Sequence, residues 1–113
     1  IELRSPDPAC NPYLAFVVIM AAGMDGIKNK YDLPSPIEEN IFHMTEEQKQ
    51  SKKIEELPSS LESAVREFSK NDLMRDALGD HIFETMIANK LAEWDMYRTH
   101  VSQYELDNYL PIL

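Results

Sequence analysis

Cysteine is almost missing from this sequence: Cys10 is the only one in 113 residues, so no intrachain disulfide can form. A lone thiol suits a reducing compartment, and cytoplasm is the expected location. Glycine is also scarce, with three residues and no glycine-rich phosphate loop, which removes the usual backbone cradle for a nucleotide. Positive charge is in deficit. A formal net charge of −9 leaves no basic patch for phosphates or anionic lipid, so neither nucleic acid nor a membrane is an expected partner. No initiator methionine precedes Ile1 and no basic-then-apolar leader is visible, so the chain reads as a piece of a longer protein.

One apolar run stands out. From Tyr13 to Met24 every residue is apolar or glycine. As a helix this dozen residues reaches only about 18 Å against the roughly 30 Å of a bilayer core, so it predicts a buried helix over 11–30. Asn11 before Pro12 is a start signal, and Lys28 and Lys30 place cations where the helix dipole favours them.

Before that helix, Ile1 to Arg4 alternates apolar and charged residues, the period of a strand end, and the two prolines of Ser5–Pro8 turn it off. The strand over 1–5 places Glu2 and Arg4 on one face, about 6.5 to 7 Å apart, where a carboxylate for a hard cation and a guanidinium for an anionic oxygen can address one ligand. From spacing alone an exposed ion pair explains the same residues.

Residues 31–44 hold two prolines and no sustained period, which predicts a surface loop. A helical region follows over 45–101. Thr45 with Gln48, Ser59 with Glu62 and Ser102 with Glu105 have the capping-box spacing, and Asn71 caps a segment that ends at Gly79. The helix from Asp80 has an apolar face of Phe83, Met86, Ile87, Leu91, Trp94, Tyr97 and Val101. A final helix over 102–113 presents Tyr104, Leu106, Tyr109 and Leu110 before an apolar Pro-Ile-Leu end, a composition suited to docking on another surface.

Other candidates are thin. His81 and Glu84 share a helix face, but two ligands make a poor metal site, and a first-turn histidine beside Asp80 explains them. His43 and His100 have no nucleophile beside them in sequence, and Cys10 is expected to be a small buried residue. By these patterns alone the chain is a mostly helical, acidic segment with an apolar tail.

The motifs E-L-R-S-P-D-P-A-C-N-P-Y-L (Glu2–Leu14) and A-A-G-M-D-G-I-K-N-K (Ala21–Lys30) resemble the C-terminal part of type I, bacterial and archaeal, glutamine synthetases. The likeness continues through P-I-E-E-N-I-F, L-P-S-S-L-E, A-L-G-D-H-I-F and E-W-D-M-Y-R-T, so it covers essentially the whole chain. It implies an α+β catalytic domain, of which this part is mostly α with one short N-terminal strand.

The resemblance also implies an activity: ATP phosphorylates the side-chain carboxylate of glutamate, and ammonia displaces phosphate to give glutamine. Glu2 matches a ligand of Mg2+ or Mn2+, and Arg4 matches a catalytic residue that binds glutamate and the transferring phosphoryl group. The family's other ligands and acids lie upstream of Ile1, so this segment alone is expected to be inactive. Phe42 matches the tyrosine that many proteobacterial members adenylylate; without a hydroxyl it implies the subtype governed by feedback and regulatory proteins. The stretch 102–113 matches the helical thong that joins two hexameric rings into a dodecamer, with Tyr104, Leu106, Tyr109 and Leu110 as contacts. Two other readings stay open: a glutamate–amine or polyamine ligase of the same superfamily, and a non-catalytic helical interaction module.

Overall fold

Helices dominate because helix formers are abundant and nearly every helix carries its own start signal. A computed structural model of the chain describes residues 2–112. In α1 (Pro12–Asn29), Asn11 accepts hydrogen bonds from the backbone N–H groups of Tyr13 and Leu14. The helix ends on Lys30, whose left-handed backbone (φ 54°) lets its N–H reach the carbonyls of Gly26 and Ile27.

After an extended segment, a single 3-10 turn at Ile41–His43 is capped by Asn40. Helix α2 (Glu46–Ser51) starts at a reciprocal capping box between Thr45 and Gln48, and α6 (Gln103–Asn108) at one between Ser102 and Glu105. In α3 (Leu61–Ser69) the cap differs from the expected Ser59–Glu62 pair. Ser60 and Ser63 cap each other, at 3.1 Å in both directions, because a serine at the third helical position returns the hydrogen bond that a glutamate would supply. Helix α4 (Asp72–Leu78) is capped by Asn71. Gly79 then takes φ 77°, a conformation an L side chain rarely adopts, and turns the chain directly into α5 (Asp80–Arg98).

Packing joins α3 to α5, α4 to α5 and α1 to α4. At the centre Phe83 is fully buried and stacks on Phe68 with ring centroids 4.7 Å apart, and Val65 completes the core. No other described residue is buried. The radius of gyration is 18.6 Å, against about 13 Å for a compact domain of roughly this length. The chain is therefore an open layer of helices, 59 × 42 × 23 Å.

Two expectations change as a result. Among the described residues there is no strand, because residues 2–5 have no neighbouring strand with which to exchange ladder hydrogen bonds; Ile1 lies outside the described residues. Helix α1 forms but is not buried: Tyr13, Phe16, Val17, Met20, Met24 and Ile27 are exposed in one stripe, since among the described residues it packs chiefly on α4 alone. No helix among the described residues is long and apolar enough to cross a membrane.

Candidate functional site

The segment that leads into α1 is built by short-range hydrogen bonds. Asp7 accepts from the N–H of Ala9 through Oδ1 at 2.7 Å, and its carbonyl accepts from the N–H of Cys10 at 3.0 Å. This turn delivers Asn11 to its capping position, so residues 5–11 are fixed to the first turn of the helix. Just upstream, Arg4 Nε donates to Glu2 Oε1 at 2.7 Å. The two side chains expected to act together therefore lie together, and both face solvent, at 84% and 73% exposure.

An exposed pair of this kind adds little to stability. What it offers is chemistry: a hard carboxylate donor reachable by a divalent cation, beside a planar cation whose other N–H groups can bind an anionic oxygen. Glu2 could fill one ligand position of such a cation; among the described residues no three His, Cys, Asp or Glu side chains converge into a metal site.

Behind the turn, an apolar cleft of about 620 Å³ opens between Ser5–Asn11, the first half of α1, and Leu57, Phe68, Leu78, Met86 and Lys90. Cys10 is on its rim and is exposed, which corrects the expectation of a buried thiol; the Asp7 turn holds it at the surface. A smaller cleft of about 310 Å³ is lined by Leu14 and one face of α5, including His81, Thr85 and Asn89. His81 and Glu84 form no metal pair there, because Glu84 is turned to Arg75 at 3.4 Å.

The remaining candidates lie apart from this end of the molecule in sequence and are all at the surface. Phe42 projects from the turn at Ile41–His43 with 98% exposure. Tyr104 and Tyr109 meet edge to face at 6.4 Å, and Tyr104, Leu106, Tyr109, Leu110 and Ile112 leave an apolar surface uncovered; Leu113 lies outside the described residues.

Sequence reasoning missed two local devices. Tyr31 donates its hydroxyl proton to Asp25 at 2.9 Å, while Asn29 donates to the other oxygen of the same carboxylate, which ties the loop after α1 back to the helix. The phenol is raised above its usual pKa of 10.0, first by that hydrogen bond and then by the charge of Asp25. Arg75 bridges α4 to Asp80 and Glu84 of α5. Its signal was an arginine one turn before a helix-breaking glycine with acids on either side of the next turn.

Comparison with known proteins gives the family. The family described as "Glutamine synthetase, catalytic domain" matches residues 1–109. The chain is 53% identical over 112 residues to a glutamine synthetase of Methanococcus maripaludis, covering 99% of this chain. It is 52% identical over 110 residues to one of Thermotoga maritima and 46% identical over 110 residues to one of Staphylococcus aureus, each covering 97% of this chain. It spans about a quarter of the length of these relatives, 25% in each case. With a family match across nearly all of its residues, the chain belongs to the glutamine synthetase catalytic-domain family.

Proposed function

We propose that this chain is the C-terminal part of an ATP-dependent glutamate–ammonia ligase that makes glutamine through a γ-glutamyl phosphate. The observation that carries the reading is the catalytic-domain match over residues 1–109, which includes the juxtaposed Glu2 and Arg4. In this reading residues 1–5 become a strand when the rest of the domain supplies a neighbour to pair with.

Glu2 then offers an oxygen to Mg2+ or Mn2+, which supplies charge neutralisation at the nucleotide phosphates when bound. Arg4 is freed from Glu2 and directs its guanidinium to glutamate and to the phosphoryl oxygens, where negative charge develops. Releasing Arg4 costs little, because the exposed pair it leaves is weak. The Asp7 turn and the Asn11 cap fix the distance between this pair and α1, so the helix acts as the foundation of the site.

The α1 stripe packs against the remainder of the domain. Residues 102–113 dock on another subunit in a double ring of twelve, and Phe42 leaves the surface loop without a hydroxyl to modify, so control falls to feedback ligands and protein partners. A cytoplasmic location suits a lone reduced cysteine. The segment alone, with one ligand position and no enclosed site, forms no glutamine.

The test is glutamate-dependent phosphate release by the full-length protein with ammonium or with a polyamine as acceptor. Faster turnover with ammonium is expected. Preference for the polyamine would assign the chain to an amine ligase of the same superfamily, and absence of turnover with either would favour a non-catalytic helical module.

A further inference from the structure

Helix α2 and the residues on both sides of it form a unit that differs in kind from the rest of the chain. The helix packs extensively against no other described helix, whereas α1, α3, α4 and α5 are joined to one another. Beyond the helix's own backbone bonds, ion pairs tie the ends of residues 39–56 to it. Lys52 is paired with Glu39, thirteen residues earlier. Lys49 lies between Glu46 at 2.9 Å and Glu56 at 2.7 Å.

Lys49 lies within α2 and Lys52 is its C-cap, so the two lysines draw the incoming and outgoing segments onto the C-terminal end of that six-residue helix. Lys49 is the better enclosed, at 19% exposure, and its ammonium is raised above its usual 10.5, first by the hydrogen bond to Glu56 and then by that to Glu46. The partner responds in the opposite sense: Lys49 holds the Glu56 carboxyl below its usual 4.5. A six-residue helix is too short to persist unaided in water, and the backbone bonds that continue it, such as Ile54 N–H to the Lys49 carbonyl at 3.0 Å, close only when α2 is wound.

We propose that residues 39–56 are an electrostatically buckled strap, with Lys49 and Lys52 as its clasp, that opens as a unit while the helical layer α3–α5 stays folded. The strap carries the fully exposed Phe42 at its outer turn, so opening and closing change the presentation of that ring without disturbing the core around Phe83. The controlling variable is ionic screening. Exposed pairs weaken with salt, while apolar packing of Phe83 on Phe68 does not.

Hydrogen exchange in the full-length protein tests this. Between about 0.01 M and about 1 M sodium chloride the screening length falls from roughly 30 Å to roughly 3 Å. Amide exchange over residues 43–54 is expected to speed up by about threefold to tenfold, while that of α3 and α5 stays constant. The double variant Lys49→Met, Lys52→Met keeps the side-chain stems and removes the charges. It should exchange fast at both salt levels, and Lys49→Arg, Lys52→Arg should restore the salt response. Equal exchange at both salt levels in the unaltered protein would overturn the proposal. So would a parallel change in the strap and α5, or a salt response that survives the methionine variant.

Discussion

The guanidinium of Arg75 lies 4.5 Å above the ring centroid of Phe83, the one fully buried side chain among the described residues. The arginine also donates to Asp80 at 3.0 Å across the Gly79 turn, so one side chain caps the core and fixes the angle between α4 and α5. Phe83→Ala in the full-length protein is expected to cost about 3–5 kcal/mol, because the ring has no solvent to relax into. Arg75→Met should lower Tm by less than Phe83→Ala but by more than Arg66→Met, since Arg66 pairs only with Glu62 on its own helix. Thermal unfolding of the three variants gives the order directly. An Arg75 effect no larger than that of Arg66 would remove it from the core.

At the far end of the chain, α6 depends on a titratable cap. Ser102 donates through both its backbone N–H, at 2.7 Å, and its hydroxyl, at 2.8 Å, to Glu105 Oε2. These bonds, the backbone one first, hold the carboxyl below its usual 4.5. A depressed folded pKa means that the cap contributes fully above about pH 4.5 and is lost as pH falls below it. Protection of the α6 amides, taken relative to the intrinsic exchange rate at each pH, should therefore fall on acidification before that of α5 does. Glu105→Gln should remove the pH response, and Ser102→Ala should weaken the helix start by about 0.5–2 kcal/mol at any pH.

Helix existence was legible in this sequence because the caps are local. Thr45 with Gln48 and Ser102 with Glu105 specify their own starts, and Asn11, Asn71 and Gly79 act within a few residues of where they stand. The Ser59–Glu62 expectation failed by one position because two adjacent serines compete for the cap, and the returning partner is a serine rather than an acid or amide. Burial was not legible, since it depends on what lies opposite. The all-apolar run of α1 reads as buried from composition, yet among the described residues α4 is its main cover, and residues 2–5 have no strand beside them to pair with. The Glu2–Arg4 proximity was legible from an alternation of two; whether it is an ion pair or half of a catalytic site was not, because both use the same geometry.

That ambiguity is resolved by separating activity from stability. If Glu2 is a cation ligand, Glu2→Ala in the full-length protein should reduce turnover on the order of 100-fold or more, with partial recovery at high Mg2+ or Mn2+. Tm should not move, because the pair it breaks is exposed. Arg4→Lys keeps the charge but loses the planar fork, so it should lower turnover at saturating cation. Steady-state rates against cation concentration distinguish the two variants: a shift in cation dependence for Arg4→Lys, with none for Glu2→Ala, would reverse the proposed roles.

The exposed terminal surface makes the last prediction. Tyr104, Leu106, Tyr109, Leu110 and Ile112 remain solvent-facing on a six-residue helix and a final 3-10 turn at Leu110–Ile112, which together pack on little else in the chain. Leaving that much apolar surface in water is unfavourable, and ordering it is favoured when a second subunit covers it. On the proposed double-ring assembly, truncation after Ser102 in the full-length protein should therefore shift the population toward single rings in native mass measurement. Turnover per subunit should persist, since Glu2 and Arg4 are untouched. The paired substitution Tyr109→Ser, Leu110→Ser should act in the same direction more weakly, because part of the apolar face is retained. A truncated protein that still assembles as an intact double ring would show that these residues dock elsewhere.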